Sequence, residues 1–523
     1  MQAGSDRRHL KSSPGSCKDA DMRSPRTALL PVAVGLGLLL VILLLVPPLV
    51  SADRSMFVNI GELLSRGNLL YVEVSDNKDP LFFYSLAALS PLFGAGSSFV
   101  LEIVCLAVSA IALYGIAAFL TADDRQSHLQ AKRMLLTVAS FGVLCWPAFY
   151  LPGLSTTPGS MMALLAVWAS CRNRFVLAGI ATGLLIFLKP AVFPVAALMV
   201  VTLLLMINHD NAARVRAATR TTLGGGVSVL VGVVGMALLG ILPGWWDMLS
   251  DNASYSRDGL AFIARGTSRF QLFLDQQVQF GVAMLLALLL VLAAAAVYSV
   301  MRVRASAESR RTHETAILLA AGLGICTAGI VLSLTYLWSH HGQLIALPAA
   351  LFVMAALSRL KVGLPLVAAG VLLGLAPLLV PLNTVSYLDK WESFTNPATE
   401  QLASTTVNAA SNLPNVSYTF AGINTAGGLV EDLPTSWSFV CRQLAVWPWS
   451  SEEVMAEYLT CLETVPNVAF WSDIGVRQYG GVSPRFDAFN SDVESILQRC
   501  YEGPVTQKHI SPGRVQAFIR RAC

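Results

Sequence analysis

Charge is what this chain of 523 residues has least of. Only 13% of it is Asp, Glu, Lys or Arg, about half the share of an ordinary soluble domain. With 54% hydrophobic residues and a mean hydropathy of +0.60, the deficit excludes an ordinary soluble protein and a disordered one. Other signatures are missing too. No pair of cysteines stands two residues apart, which removes the usual cysteine-based metal site. No internal repeat and no paired broken helices occur, the marks of secondary transporters. No basic patch is interleaved with aromatics, so the net charge of +4 does not describe a nucleic-acid surface.

What the chain has instead is apolar runs close to bilayer length. About twenty apolar residues cross the hydrocarbon core as a helix, and eleven runs approach that length: 28–50, 98–120, 134–150, 160–171, 175–188, 191–207, 222–243, 279–301, 316–336, 342–357 and 362–382. The first is too long for a signal-peptide core and has no small-residue cleavage site, so it reads as a retained span. Basic residues then set the orientation. With the N-terminus inside, cytoplasmic segments carry 20 Lys and Arg against seven outside before residue 383, and eleven spans leave the tail outside. The expectation is a polytopic α-helical membrane protein in the plasma membrane. It has a disordered cytoplasmic N-terminus (1–27), a transmembrane domain (28–382) with long outer loops at 51–97 and 244–278, and a small extracytoplasmic α/β domain (383–523). The 28 arginines against eight lysines, and abundant alanine, point to a GC-rich, bacterial source.

Nine cysteines divide unevenly. Cys105, Cys145, Cys171 and Cys326 fall in or beside spans, where thiols act as small packing residues. Cys441, Cys461, Cys500 and Cys523 lie in the exported tail, where three pairings into two disulfides remain open. Strands are expected at 418–423, 468–471, 505–508 and 515–519. Helices are expected at 452–464, after Ser450-Ser451, and at 491–501, with Ser491 and Glu494 as a capping box.

The first outer loop is the most elaborate segment. Asp53 emerges at the bilayer edge beside Arg54. A helix over 56–64 stops at Arg66-Gly67, a short extended piece surrounds Tyr71, and Lys78-Asp79-Pro80 leads into a second helix over 81–93, ending at Gly94. A carboxylate at a span end is ordinarily a hydrated boundary residue; at a membrane-surface site it can serve as general base toward a hydroxyl. Lys78 is either a solvated loop cation or a partner for a lipid phosphate. Lys189, in LLIFLKPAVFP, either snorkels or marks a site, since an ionisable residue in an apolar stretch is expensive. His341, beside His340 at the mouth of the tenth run, is either an interfacial residue or a phosphate donor. The loop 244–278 adds Arg257 and Arg265 among other polar groups, with Trp245 and Trp246 as interfacial anchors.

These residues resemble the C-type (GT-C) glycosyltransferases, in the branch of protein O-mannosyltransferases and aminoarabinose transferases. That pattern has an acid after span one, a helix closing with Gly, then Lys-Pro-Pro or His-Pro-Pro leading into a helix that ends Phe-Gly. Here the positions read Asp53, Gly67, Lys78-Asp79-Pro80 and Phe93-Gly94. GIATGLLIFLKPAVFPVAAL is similar to the family's Gly-rich span with a phosphate-contacting lysine, here Lys189. SHHGQLIALPA is similar to its histidine with a proline seven residues on, here His341 and Pro348. The closing VQAFIRR is similar to the last strand of such exported domains. The chain departs at Arg54, where many members have a second acid, and at Asp79, in place of the first proline. It departs also at Thr156 and Thr157, where an acid is common in the second outer loop, and at Glu102, where arginine is frequent.

The resemblance implies an inverting transferase that moves a sugar from a polyprenyl-phosphate donor to a hydroxyl on a cell-envelope glycan, lipid or protein. Asp53 is the implied base, and Lys78, Lys189 and His341 hold the phosphate as its charge grows. Arg54, Tyr71, Arg257 and Arg265 are candidate loop contacts beside them. No cofactor is implied, and the missing acids argue against a metal. A lipid-linked saccharide transporter or flippase, or an envelope scaffold, would carry the same hydropathy.

Overall fold

The computed structural model describes residues 52–122, 129–145, 155–208, 210–250, 252, 312–334, 342–359, 397–421, 427–448, 450–473, 476, 483–510 and 513–521. The apolar runs 28–50, 279–301 and 362–382 lie outside the described residues, as do the 1–27 segment, Cys17, Cys523, His340, His341, Arg257 and Arg265.

Two helices come first, the amphipathic α1 (Ala52–Ser65) and the apolar α2 (Pro80–Phe93). They pack on each other through Phe57, which meets Phe82 and Phe83 edge-on at 5.4 and 5.5 Å. α1 is longer than the expected 56–64 and stops at Gly67, whose φ of +98° is left-handed backbone that ends a helix cheaply only as glycine.

The apolar bundle follows: α3 (Ser97–Leu120), α4 (Leu129–Leu144), α5 (Thr156–Cys171), α6 (Phe175–Leu188), α7 (Phe193–Ile207), α8 (Asn211–Leu238), α9 (Thr312–Leu334) and α10 (Gln343–Ser358). α2 and α3, joined by a single 3₁₀ turn, form one apolar stretch, Pro80–Leu120. That stretch, Asn211–Leu238 and His313–Leu332 are long and apolar enough to cross a bilayer; α6, α7 and α10 are apolar but shorter. The chain is a polytopic helical membrane protein. α8 agrees with this: Val215, Leu223, Val227, Leu230, Val231, Val234 and Leu238 all lie exposed along it, a stripe suited to lipid. The bundle interior is built from Leu113, Ile116, Leu136, Leu164, Met199, Leu203, Leu347 and Met354. At the shared end of antiparallel α9 and α10, Arg359 pairs with Glu314 at 3.0 Å.

The expected run 222–243 becomes a helix that begins at Asn211 instead, because Asp210 caps it by accepting from the Ala212 and Ala213 amides. α6 and α8 come closer than ordinary side chains permit. A Cβ on Gly179 would stand 2.0 Å from the Thr221 carbonyl oxygen, and one on Gly183 2.1 Å from Ser228 Oγ, the small-residue packing typical of membrane helices.

The C-terminal part opens with α11 (Pro397–Ala409) and carries a five-stranded sheet of β1 (Ser417–Ala421), β2 (Ser438–Phe439), β3 (Val468–Ser472), β4 (Tyr501–Ile510) and β5 (Gly513–Arg520), in the order β2-β1-β3-β5-β4. β2, β1 and β3 run parallel; β5 is antiparallel to β3 and to β4. A short helix, α12 (Leu429–Asp432), leads to β2. α13 (Glu452–Thr464) and α14 (Pro484–Cys500) cover the sheet with Met455, Leu462, Phe486 and Val493. α13 begins where expected, with the Ser451 hydroxyl accepting from the Val454 amide. α14 corrects the expected 491–501: Ser483 is the cap and Pro484 the first residue, while Ser491 sits inside and donates to the Asp487 carbonyl. Cys441 and Cys461 are bonded, which excludes two of the three open pairings; Cys500 is disulfide-bonded as well.

Candidate active site

The loop between α1 and α2 is fastened at several points. Tyr71, buried and with a φ of 62°, is not the extended residue expected. A chain reversal bridges Leu70 to Val74, and the Tyr71 amide donates to the Val74 carbonyl at 2.6 Å. The Tyr71 hydroxyl donates to the Lys78 carbonyl at 2.6 Å, so its polar end is occupied by the loop itself. The guanidinium of Arg442 donates to the Tyr71 carbonyl, and the Ser75 amide to the Arg442 carbonyl at 2.8 Å. A helix over 242–250 closes the other side, and Asn252 donates to the Asn77 carbonyl at 2.9 Å.

The C-terminal part also clamps α1. Arg66 donates to the carbonyls of Val430 and Leu433, Asn59 accepts from the Val430 amide at 3.3 Å, and Glu431 accepts from the Ala95 amide at 2.8 Å. Both juxtamembrane helices are thus fixed from the sheet side as well as from the bundle.

At the centre of this arrangement lies Asp79. It stands at the N-cap position of α2, yet its side chain makes no capping bond, and the residue is only 7% exposed. Lys189 and Lys78 both lie within electrostatic range of its carboxylate. The Trp245 indole N–H is directed toward it without closing a short hydrogen bond. Burial pushes the Asp79 carboxyl up to about 7; Lys189, Lys78 and the indole pull it down, and Asp76 adds a smaller push upward. Desolvation is the largest of these influences and outweighs the two lysines.

Lys189 caps the end of α6 and is 9% exposed. Its ammonium donates to Ser155 Oγ at 3.3 Å, directly before α5. Thr156 and Thr157 are buried there, and their hydroxyls find no hydrogen-bond partner among the described residues. Lys78 donates to the Asn77 side chain and its ammonium lies 5.6 Å from the Phe57 ring centre. Two of the sequence-derived phosphate ligands therefore converge on one buried carboxylate. Asp53 is in the first turn of α1, and its side chain lies outside the described residues. Arg54 faces elsewhere. It is 1% exposed, its guanidinium pairs with Glu102 at 2.8 Å and covers the Phe99 ring at 4.3 Å.

Sequence reasoning passed over Asp79 and Ser155 and took Trp245 only as an anchor. Asp79 was visible as a departure from the Lys-Pro-Pro pattern; Ser155 carried no signal. Among the described residues no group of three or more His, Cys, Asp and Glu is placed to hold a metal ion.

No family model and no curated protein sequence matches the chain. Among solved structures it is similar to ArnT from Cupriavidus metallidurans bound to undecaprenyl phosphate. The identity is 12% over 94% of this chain and 98% of that one, with a TM-score of 0.49. It is similar also to the arabinofuranosyltransferase AftD from Mycobacteria, at 15% identity over 96% of this chain and 40% of that one, with a TM-score of 0.49. The apo state of ArnT superposes at a TM-score of 0.37, with 14% identity over 94% and 97% of the two chains. ArnT and AftD are both C-type glycosyltransferases.

Proposed function

We propose that the protein is a membrane glycosyltransferase that takes a sugar from a polyprenyl-phosphate donor and transfers it, with inversion, to a hydroxyl of a cell-envelope glycan, lipid or protein at the outer face of the plasma membrane. The observation that carries this reading is the convergence of Lys78 and Lys189, from two separate elements, on one buried locus between juxtamembrane helices. A buried lysine and a half-buried one beside a bilayer suit a phosphate whose ester bond to the sugar breaks, because the leaving group gains negative charge as it departs. The leaving group is already anionic and needs no general acid.

Asp53 is the proposed base. It takes the proton of the acceptor hydroxyl as that oxygen attacks the anomeric carbon from the face opposite the phosphate, and a single carboxylate in that role leads to inversion. His341 and the loop arginines Arg257 and Arg265 complete the donor contacts in this reading, and Tyr71 and Arg442 act by holding the Lys78 backbone.

The deciding experiment is transfer by Asp53→Ala. The variant is expected to bind prenyl phosphate as the wild type does and to transfer about 10²–10⁴-fold more slowly, the usual worth of a positioned base. Undiminished transfer by Asp53→Ala sinks the assignment; a transporter or scaffold would be indifferent to the change.

A further inference from the structure

We propose that Asp79 is a resident anion of the donor site: it balances Lys78 and Lys189 while the site is empty, and takes up a proton when the donor's phosphodiester arrives. The inference rests on the donor-site reading above and deepens it.

Three observations lead here. First, an aspartate at the start of a helix ordinarily turns back to accept the first free amides. Asp79 has the N-cap backbone conformation, with φ −82° and ψ 151°, and makes no such bond. Second, it is buried together with Lys189, at 7% and 9% exposure. A buried ammonium with a second, half-buried ammonium near it loses hydration and is repelled, so an anion beside both makes the empty site tolerable. Third, the cations come from two separate elements, Lys78 on the same loop and Lys189 at the end of α6, and both lie within electrostatic range of the carboxylate.

The charge count then dictates the linkage. Lys78, Lys189 and an ionised Asp79 sum to one positive charge. A phosphodiester adds one negative charge that must share the same two cations with the carboxylate. A protonated Asp79 removes that competition and presents an O–H donor to a phosphate oxygen. The groups facing Asp79 are Lys78 and Asp76 on its own loop, Lys189 at the end of α6, Trp245 on the 242–250 helix, and Tyr71. Burial already brings the carboxyl close to neutral pH, so a second anion completes the protonation. Donor binding consumes a proton, and affinity declines as pH rises.

The test is calorimetric titration of the full chain in lipid nanodiscs with a short prenyl methyl phosphodiester, a probe with no titrating group of its own between pH 5.5 and 8.5. Buffers of different ionisation enthalpy report protons taken up. Wild type is expected to take up close to one proton per diester at pH 8 and to weaken about tenfold per pH unit above neutrality. Asp79→Asn is expected to take up none and to bind with a flat profile. Asp79→Glu and Lys189→Arg, which keep an acid and a permanent cation, are expected to retain the uptake. Equal uptake in wild type and Asp79→Asn overturns the inference, as does loss of uptake in Lys189→Arg, which would put the proton on the lysine. If the wild type fails to bind the diester at every pH, the donor-site reading itself falls. Saturable binding without proton uptake removes the role of Asp79 alone.

Discussion

The guanidinium of Arg54 and the carboxylate of Glu102 form a buried ion pair, 2.8 Å apart, between the first turn of α1 and the second turn of α3. Read along the sequence these are two unrelated departures, an arginine where an acid is common and an acid where arginine is common. In space they are one buried pair, which ties the first turn of α1 to α3. Ser98 and the Phe99 face complete the enclosure of the guanidinium.

Removing one member of that pair should be far worse than removing both. Glu102→Ala leaves a buried guanidinium without its counter-charge, and about 3–5 kcal/mol of stability is expected to go. Exchanging the residues, Arg54→Glu with Glu102→Arg, should recover most of it. Thermal unfolding of the four proteins of the double-mutant cycle in one detergent measures the coupling; simple additivity would rule out the pairing.

Lys189→Ala and Lys78→Ala should each weaken donor binding. A hydrogen bond to a charged group contributes about 1.5–3 kcal/mol, so the dissociation constant for a prenyl phosphodiester is expected to rise by about ten- to a hundredfold. Lys189→Ala also removes the bond to Ser155, and its effect should be the larger. Unchanged affinity in both variants would remove the proposed phosphate site.

Tyr71→Phe deletes one hydrogen bond, the one from the phenol to the Lys78 carbonyl, and leaves the ring packed. A loss of about 0.5–1.5 kcal/mol is expected. Because the bond positions Lys78 and touches no reacting group, KM should rise with kcat nearly unchanged. A fall in kcat alone would mean that Tyr71 meets the substrate.

Stability should depend on pH through Asp79 with a definite sign. Its carboxyl is raised from 3.8 to about 7 in the folded protein, so between those values the folded state holds a proton that the unfolded state has released. Stability from this group is therefore fully present below about pH 4 and declines as pH rises to about 7, then levels off. Asp79→Asn should remove that decline. Thermal scans between pH 5 and 8 on both proteins check it; a wild type that grows more stable than Asp79→Asn on the way to pH 8 contradicts the burial argument.

Composition and run length determined the membrane class, because an apolar helix of bilayer length is a local property readable from a single window. The same holds for α13 with its Ser451 cap and for the strands β1 and β3, whose patterns are short-range. Capping chemistry near helix ends was legible only where one candidate stood alone: Ser483-Pro484 displaced Ser491 because a proline suits the first turn and the apolar face of α14 begins there. Lys78 and Lys189 were legible in sequence as candidates, Lys189 as a cation in an apolar stretch and Lys78 as a cation just before the helix that opens at Pro80. Their convergence on Asp79 was decided only by tertiary structure, as was the pairing of Arg54 with Glu102. Electrostatic pairing depends on distance through space and on exclusion of water, and the chain order records neither.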